Sequence, residues 1–398
     1  MFRSSNKPKK TVLIVGGSFA GLIAINYLDS SSFNVILVDR KSFFEYTPNF
    51  PFLLSDPNHI DEMTCSLQDY ADQYKCQFVQ GQLDDLFANK AVIRVSAHKT
   101  IDIQFDYCVI STGSSYASSV KPEKEITSIQ QRKQQVLLQA EKLQYFKKVL
   151  VVGGGIVGVE IAGVLSDHYK NLKVHLWNKS KQILSQYPEK ARALCEQILK
   201  KQGVQIEFNK EVNELPQQQF DQIFDCRGNV YQPSFMTNNF SHYIDERGRI
   251  IVDENYRLKD NGNIFCVGDA CITPNNESKM GYNASIQGMY AAENIVLLEK
   301  KSKSLKKLEG DANVSLIALN KKNAIFCFGD SVSEKSTSDK FTYEKKTIKA
   351  FKGSGFYKFI SKFSRSILVM ISGCQKRKKP AVNTNQVQDS QSKKENNL

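Results

Sequence analysis

Two glycine-rich turns contain the residues of this sequence whose types and spacing suit phosphate binding. The first is "VGGSFAG" and the second is "VGGGIVG", which start at Val15 and Val152. Small residues at such turns let the backbone amides at the start of a helix approach a phosphate, as in the dinucleotide fingerprint G-x-G-x-x-G. The first turn departs from the fingerprint because Ser18 replaces its middle glycine. Two ordinary strand-to-helix turns without a nucleotide are the alternative.

Each turn must be positioned by a strand before it and by a helix and a second strand after it. "TVLIV" and "KVLVV" precede the turns and are apolar runs typical of buried parallel strands. After the first turn, a helix-compatible stretch leads to the strand "NVILVDR", which ends in Asp39 and Arg40. An acid at this place can accept hydrogen bonds from a ribose. The pattern predicts two βαβ units, and Ser18 adds only a hydroxyl that could cap helix amides or meet a phosphate.

Further motifs resemble the flavoproteins that have two dinucleotide-binding domains, with FAD in the first and NAD(P)H in the second. "FDYCVISTGSS" resembles a family strand that ends in A-T-G, and "NIFCVGDAC" resembles the late FAD motif. The resemblance implies that Asp269 binds the ribityl chain. It also implies that "SKMGYNASIQGMYAAENI" forms a helix whose N-terminus faces the flavin and stabilises negative charge on the reduced ring.

Within this superfamily the sequence is most similar to the ferroptosis-suppressor and apoptosis-inducing-factor group, and next to the type II NADH dehydrogenases. The resemblance implies two catalytic positions, Glu160 and Lys279, and no metal site. Glu160 could orient the nicotinamide or relay a proton, or it could only complement its helix dipole. The implied cofactor-binding positions are Gly16, Gly17, Ser18, Ala20, Gly21, Asp39, Arg40, Val79, Thr112, Gly113, Gly153, Gly155, Gly158, Asn178, Lys179, Gly228, Gly268, Asp269 and Gln287.

The implied fold is α/β. It has two Rossmann-like dinucleotide-binding domains, the NAD(P) domain inserted in the FAD domain, and a small C-terminal α+β module. The predicted segments are a basic N-terminal segment (1–10), the first segment of the FAD-binding domain (11–118), the NAD(P)-binding domain (119–244), the second segment of the FAD-binding domain (245–300), a C-terminal hairpin with an amphipathic helix (301–375) and a disordered polar tail (376–398).

Several residues depart from the family pattern. Arg227 replaces the threonine expected before Gly228, and Phe2 stands where N-myristoylation requires glycine, so that lipid anchor is not expected. Cys266 and Cys271 have the spacing of some redox-active disulfides, but they lie in a strand and a loop instead of at a helix start. Thiol chemistry is therefore not expected. The 9 cysteines lack paired CxxC motifs, which favours a reduced compartment.

The identity of the electron donor depends on the residues after the second unit's strand. NAD-selective sites usually place an acid there, and its carboxylate repels the 2′-phosphate of NADPH. This sequence instead has Asn178 followed by Lys179, which could pair with that phosphate. NADPH is therefore expected at least as readily as NADH. A solvated lysine without a role in binding is the alternative.

An aromatic run after the first unit is the candidate acceptor site. It contains Phe43, Phe44, Tyr46, Phe50 and Phe52, in a stretch similar to the one that lines the flavin and quinone pocket of type II dehydrogenases. These rings could form a flat apolar slot for a quinone, or most of them could belong to the core. The predicted function is electron transfer from NAD(P)H through FAD to a quinone-type acceptor. An apoptosis-inducing-factor-like flavoprotein with mainly a binding or signalling role is the alternative.

The net charge of +13 is concentrated near the two ends of the chain. Residues 1–10 contain 4 Lys or Arg and no acid, and residues 341–380 contain 11 against 1 Glu, which leaves residues 11–340 at a net −1. This distribution argues against nucleic acid as the partner and favours an anionic surface. Residues 353–374 have the spacing of an amphipathic helix and precede a basic cluster at 376–379. The pattern is typical of peripheral membrane attachment, with a helix packed on the flavin domain as the alternative.

No apolar run of membrane-spanning length and no signal-peptide core occur in the sequence. The predicted location is cytoplasmic and peripheral to a membrane, with the mitochondrion left open by the basic start of the chain. Neither the physiological acceptor nor the oligomeric state is predicted.

Overall fold

The computed structural model describes residues 8–310 and 314–352. The predicted amphipathic helix at 353–374, the basic cluster that follows it and the polar tail lie outside these residues. Most of the basic N-terminal segment lies outside them as well.

The N-terminal third of the chain alternates short strands with helices. In chain order its elements are β1 (Lys10–Val15), α1 (Phe19–Tyr27), β2 (Phe33–Asp39), β3 (Phe43–Glu45), α2 (Phe50–Leu53), β4 (Thr64–Ser66), α3 (Leu67–Gln73), β5 (Gln77–Gln80), β6 (Gln82–Leu86), β7 (Lys90–Ser96), β8 (Lys99–Gln104) and β9 (Tyr107–Ile110).

The middle of the chain begins with a long helix and then alternates again. Its elements are α4 (Ile129–Leu143), β10 (Lys148–Val152), α5 (Ile156–His168), β11 (Lys173–Trp177), α6 (Glu189–Lys201), β12 (Gln205–Glu207) and β13 (Gln222–Asp225). The remaining elements are β14 (Ile250–Ile251), β15 (Arg257–Leu258), β16 (Asn261–Cys266), β17 (Cys271–Ile272), α7 (Gly281–Glu299), β18 (Val314–Ala318), β19 (Asn323–Phe328), β20 (Ser331–Ser336) and α8 (Thr337–Lys352).

The first large sheet has the order β15-β16-β9-β1-β2-β5. Its central strand β1 is apolar and buried from Val12 to Val15, and it pairs in parallel with β2 and β9. Strand β16 also pairs in parallel with β9, although the whole second sheet lies between them in sequence. The second sheet, β12-β11-β10-β13, is parallel throughout. It is therefore inserted between two portions of the first sheet, and the predicted α/β fold class is confirmed.

The C-terminal module consists of the antiparallel sheet β18-β19-β20 and helix α8. Ile317, Leu319 and Ile325 of this module belong to the same buried cluster as residues of α5 and β10. Phe52 packs with Ala318 in a second cluster. The module therefore packs against both α5 and α2, and it covers the region of the predicted acceptor site.

Helix α8 is not predicted by the sequence pattern, which places a helix only after Gly353. The buried positions of α8 include Thr337, Lys340, Glu344 and Ile348, which follow helical spacing. Because most of these side chains are polar, the sequence lacks the apolar periodicity that reveals an amphipathic helix.

Among the described helices, none combines the length and the apolar composition needed to cross a lipid bilayer. Within the same residues, no group of three or more His, Cys, Asp or Glu side chains could hold a metal ion. The described cysteines are free and buried, and they include Cys266 and Cys271.

Candidate functional site

The first glycine turn leaves no room for side chains at two positions. Gly16 has φ +112°, and a Cβ there would lie 2.3 Å from the carbonyl oxygen of Ser111. A Cβ on Gly21 would lie 1.9 Å from the carbonyl oxygen of Gly16. The turn therefore presents the N-terminus of α1 with little side-chain cover. Ser18 precedes α1 as its N-cap residue, and within the described residues its hydroxyl makes no capping hydrogen bond.

Asp39 braces this turn from the end of β2. One carboxylate oxygen accepts from the amide of Gly17 at 2.7 Å, and the other accepts from the amide of Lys41 at 2.7 Å. Arg40 lies next to it but points elsewhere, because its guanidinium donates to carbonyl oxygens of the loop at residues 122–126. Val79 lies beside Val38 in the sheet. The structure therefore brings Asp39 to the turn and commits the Arg40 side chain to a loop.

A lysine that the sequence analysis did not identify lies at the centre of the next group. Lys121 Nζ donates to Ser114 Oγ at 2.8 Å and to Asp269 Oδ2 at 3.1 Å, and Ser114 Oγ donates to the same carboxylate oxygen at 2.7 Å. Burial opposes ionisation of Asp269, but Lys121 and Ser114 outweigh it and hold the pKa of Asp269 below its ordinary value. Thr112 is exposed and Gly113 partly buried just before this group. The predicted ribityl-binding acid is therefore ionised and already paired.

Gln287 and Lys279 hold the loop that carries Asp269. The amide of Gly268 donates to Gln287 Oε1 at 2.7 Å. The Lys279 ammonium donates to the carbonyl oxygen of Cys271. In this arrangement Lys279 braces the loop after β16, and its catalytic role stays a prediction.

The second glycine turn repeats the geometry of the first. Gly153 has φ +111°, and a Cβ there would lie 2.6 Å from the carbonyl oxygen of Cys226. A Cβ on Gly158 would lie 1.9 Å from the carbonyl oxygen of Gly153. A Cβ on Gly155, by contrast, would meet nothing within 4 Å among the described residues. The middle position of this turn therefore faces open space.

The side chains around the second turn are held by protein partners. Asn178 Oδ1 accepts from the amide of Gly154 at 3.0 Å. Lys179 is exposed and forms a 2.5 Å ion pair with Glu211. Arg227, before the exposed Gly228, donates to both carboxylate oxygens of Asp225. A 2′-phosphate could bind Lys179 only in competition with Glu211.

Glu160 lies on α5 and is buried against the C-terminal module. Its Oε1 accepts from Lys340 Nζ at 2.5 Å and from the amide of Ala318 at 2.8 Å. Burial raises the pKa of Glu160, although Lys340 and Ala318 favour its ionised form. Glu160 therefore does more than complement a helix dipole. Sequence reasoning missed Lys340 because a lysine in a lysine-rich stretch looks like a solvated charge.

The predicted aromatic slot is mostly core. Phe43, Phe44, Phe50 and Phe52 are buried. Tyr46 is partly exposed, and its ring centroid lies 5.7 Å from that of Phe19, the residue after Ser18. The structure therefore agrees with the alternative interpretation, in which most of these rings belong to the core. Among them, Tyr46 is the ring that remains available to contact an acceptor.

A dinucleotide fits both turns. At each turn, the excluded Cβ positions let the chain pass close to the start of a helix, where the amides and the helix dipole favour a phosphate. Asp39, which accepts from the amide of Gly17, suits the ribose of such a ligand, and the open space at Gly155 leaves room for its pyrophosphate.

The sequence matches the profile of the pyridine nucleotide-disulphide oxidoreductase family over residues 10–293. Ferroptosis suppressor protein 1 of Xenopus tropicalis is 28% identical over 338 residues, which cover 79% of this chain and 87% of that protein. Solved structures share the fold, and two of them serve as examples. NDH2 from Plasmodium falciparum in complex with NADH has a TM-score of 0.71 at 13% identity, covering 85% of this chain and 96% of that chain. The sulfide:quinone oxidoreductase of Aquifex aeolicus has a TM-score of 0.71 at 16% identity, covering 89% and 95%.

These findings confirm the family resemblance that the motifs indicated. The profile match includes both glycine turns and the loop of Asp269, and it ends within α7. The chain belongs to the pyridine nucleotide-disulphide oxidoreductase family, and it is an oxidoreductase whose cofactors are FAD and NAD(P)H.

Proposed function

We propose that this protein transfers electrons from NAD(P)H through FAD to a quinone-type acceptor at a membrane surface. The main support is the buried ion pair of Glu160 and Lys340, which lies where α5, α2 and the C-terminal module meet. Lys340 Nζ is 2.5 Å from the carboxylate and 5.9 Å from the ring centroid of Phe52. Burying two charges beside aromatic rings is costly, so such groups are candidates for a reaction site.

The first turn and the loop at residues 268–271 would hold FAD. The amides at the start of α1 would bind its pyrophosphate, and Asp39 and Asp269 would bind its hydroxyl groups. When bound, FAD supplies the two-electron chemistry between the nicotinamide and a second acceptor. Helix α7 begins at Gly281, and its N-terminus would favour negative charge on the cofactor.

The second turn would bind the electron donor. Its three glycines expose the start of α5, and the exposed Lys179 lies at the rim of this site. We propose both NADPH and NADH as donors. No carboxylate stands at position 178 to repel the 2′-phosphate of NADPH. Lys179 already forms an ion pair with Glu211, so it gives NADPH no advantage over NADH.

The acceptor would approach near Tyr46 and the Glu160–Lys340 pair. A quinone is the proposed class because the surrounding walls are aromatic and because one protein of the same fold is a sulfide:quinone oxidoreductase. Quinones with long tails reside in lipid. Attachment through the basic segment at residues 341–380 stays a prediction, as do the cytoplasmic location and the mitochondrial alternative.

An anaerobic titration tests this proposal. The purified protein is reconstituted with FAD and titrated with NADPH and then NADH while the oxidised-flavin absorbance is followed. We expect bleaching by at least one donor and reoxidation by a short-chain quinone. Quinone-containing vesicles then test whether turnover requires the membrane surface.

Two lysines of α8 provide a matched pair of variants. Lys340→Met is expected to slow quinone reduction, whereas Lys346→Met, at an exposed position of the same helix, is expected to leave it unchanged. Bleaching without reoxidation by any quinone would contradict the proposed acceptor and favour the signalling alternative. Failure of both donors to bleach bound flavin would contradict the donor site.

A further inference from the structure

A second buried acid lies one helical turn after Lys340. Glu344 of α8 is fully buried. Its Oε1 is 2.7 Å from His59 Nε2, and its Oε2 accepts from Asn49 Nδ2 at 2.6 Å. A buried carboxylate must be compensated by a charge or by hydrogen bonds, and here both are present. None of these three residues belongs to either glycine turn or to the loop at residues 268–271.

His59 connects this buried acid to the protein surface. Its side chain is 11% exposed, and its Nδ1 lies 3.8 Å from the exposed carboxylate of Glu62. One ring nitrogen therefore faces an exposed carboxylate and the other faces Glu344. The ring of Phe341 packs edge-on against His59 with a centroid distance of 5.1 Å and closes the side of this path.

Asn49 connects the acid to the acceptor side. It is fully buried, and among the residues that the structure describes its Oδ1 has no hydrogen-bond partner. An unsatisfied buried acceptor indicates a place for a donor such as water or a ligand hydroxyl. The backbone amide of Asn49 donates to the carbonyl oxygen of Tyr46 at 3.2 Å. Burial raises the pKa of Tyr46, and the charges of Glu344 and Glu160 raise it further.

Quinone reduction requires a connection of this kind, since it takes up two electrons and two protons. The hydride that leaves NAD(P)H carries both electrons and one proton. The balance is NAD(P)H + H⁺ + quinone → NAD(P)⁺ + hydroquinone. One proton per turnover must therefore come from solvent, and the covered acceptor side needs a route for it.

We propose that His59 and Glu344 supply this second proton to the acceptor. The imidazolium gives the proton on Nε2 to Glu344 Oε1 and becomes a neutral ring that keeps its hydrogen on Nδ1. The ring then turns about its Cβ–Cγ bond, and the bare Nε2 takes a replacement proton from solvent, which restores the imidazolium. Glu344 then passes the proton to a water that donates a hydrogen bond to Asn49 Oδ1, and from there it reaches the quinone oxygen. This inference rests on the proposed function, and it assigns a proton relay to residues other than the Glu160–Lys340 pair.

The surroundings of His59 favour its protonated form. Glu344 of α8 and Asp56 and Glu62 of its own segment act on His59 directly, whereas Lys345 of α8 pairs with Glu62 and Lys133 of α4 pairs with Asp61. The hydrogen bond to Glu344 raises the pKa of His59 above its ordinary value, against the opposing effect of burial. The wild-type quinone rate should therefore fall as the pH rises through this raised pKa.

The test compares two acceptors in the FAD-loaded enzyme. Ferricyanide takes electrons without protons, whereas a short-chain quinone requires both. We expect His59→Gln to lower quinone turnover on the order of 10²-fold and to abolish its high-pH decline, with ferricyanide turnover unchanged. Added imidazole should restore some of the quinone rate. His242→Gln, at an exposed histidine, is the matched control.

A readout that does not depend on turnover is the NMR titration of the His59 ring in oxidised protein. The ring should titrate above its ordinary range, and Glu344→Gln should return it towards that range. Equal loss with both acceptors in His59→Gln would mean a structural role and overturn the relay. Normal quinone turnover in this variant would overturn the relay alone. A wild-type enzyme that reduces ferricyanide and no quinone would overturn the proposed function and the relay together.

Discussion

The two glycine turns share one backbone geometry and differ in the side chains that brace them. Their first glycines have φ values of +112° and +111°. The amide of Gly17 donates to Asp39, and the corresponding amide of Gly154 donates to Asn178. The backbone requirement for a dinucleotide is therefore met twice in the same way, and the specificity of each site must come from what surrounds it.

The bracing residues differ because their loops differ. Asp39 uses its second oxygen to accept from the amide of Lys41. Asn178 uses its Nδ2 to donate to the carbonyl oxygens of Ser180 at 3.0 Å and Gln182 at 2.8 Å. A carboxylate at 178 would face two carbonyl oxygens without a donor. The absence of an acid after the second strand thus has a structural cause, and it is not by itself a sign of NADPH preference.

The largest effect is expected from breaking the shared geometry. Gly16→Ala and Gly153→Ala each force a Cβ into a neighbouring carbonyl oxygen at a positive φ. Each should lower the free energy of unfolding by about 3 kcal/mol or more. Gly16→Ala should also lose bound FAD, whereas Gly153→Ala should retain FAD that NAD(P)H no longer bleaches. Urea unfolding and flavin content measure both effects.

Gly155→Ala is the control for this pair. Its Cβ would meet nothing within 4 Å among the described residues, and its φ of −78° suits any residue. We expect unchanged stability and a higher Kd for NAD(P)H, because the Cβ enters the space through which a pyrophosphate approaches. A large loss of stability in this variant would show that the middle position has a packing role.

Asn178→Asp tests the difference in bracing. The variant keeps the acceptor for Gly154 and loses both donors to the loop, which should cost about 1–3 kcal/mol of unfolding free energy. Its carboxylate should also raise KM for NADPH more than KM for NADH. Chemical denaturation and the ratio of the two KM values measure these effects. An unchanged stability would show that the loop does not depend on the amide.

The sequence predicted the features of this fold that depend on backbone and apolar periodicity. Both βαβ units follow from apolar runs and glycine turns, whose physical requirements are local, whereas the return of the chain to the first sheet was expected only from the family resemblance. The family resemblance was confirmed on the same motifs. The predicted roles of single residues stay predictions. Arg40 and Lys279 show why, since their side chains bond to backbone carbonyl oxygens of other segments, which a residue pattern does not reveal.

The C-terminal module shows the limit of pattern reading. Lys340 and Glu344 occupy the buried face of α8, whereas a sequence pattern assigns charged residues to solvent. Their partners are Glu160, His59 and Asn49, which lie far away in the chain. Only tertiary structure brings such groups together, so no local signal could have identified them.

A smaller effect is expected from removing the cationic partners of two acids, Asp269 in the loop after β16 and Asp225 at the end of β13. Asp269 pairs with Lys121, and Asp225 pairs with Arg227, whose side chain is 42% exposed. Lys121→Met should lower the free energy of unfolding at neutral pH by about 1 kcal/mol, and Arg227→Met should lower it less, because solvent screens the exposed partner. Urea unfolding at several pH values measures both.

The pH dependence of this stabilisation has a definite sign. The folded pKa of Asp269 is held below its ordinary value of 3.8. Its contribution is therefore fully present above pH 3.8 and is lost as the pH falls through the lower, folded pKa. The difference between the wild type and Lys121→Met should shrink over that window. A difference that stays constant with pH would assign the effect to packing.

The smallest effect is expected at the rim of the second turn, where the donor's ribose would lie. Lys179 and Glu211 form an exposed ion pair, so Lys179→Ala should leave the unfolding midpoint unchanged. If Lys179 exchanges Glu211 for a 2′-phosphate, its loss should raise KM for NADPH by about 2- to 5-fold and leave KM for NADH unchanged. Glu211→Ala should do the opposite, because it frees the lysine for the phosphate. Equal changes with both donors would mean that the pair acts on the loop, and the choice of donor would then have to be made elsewhere on the nucleotide.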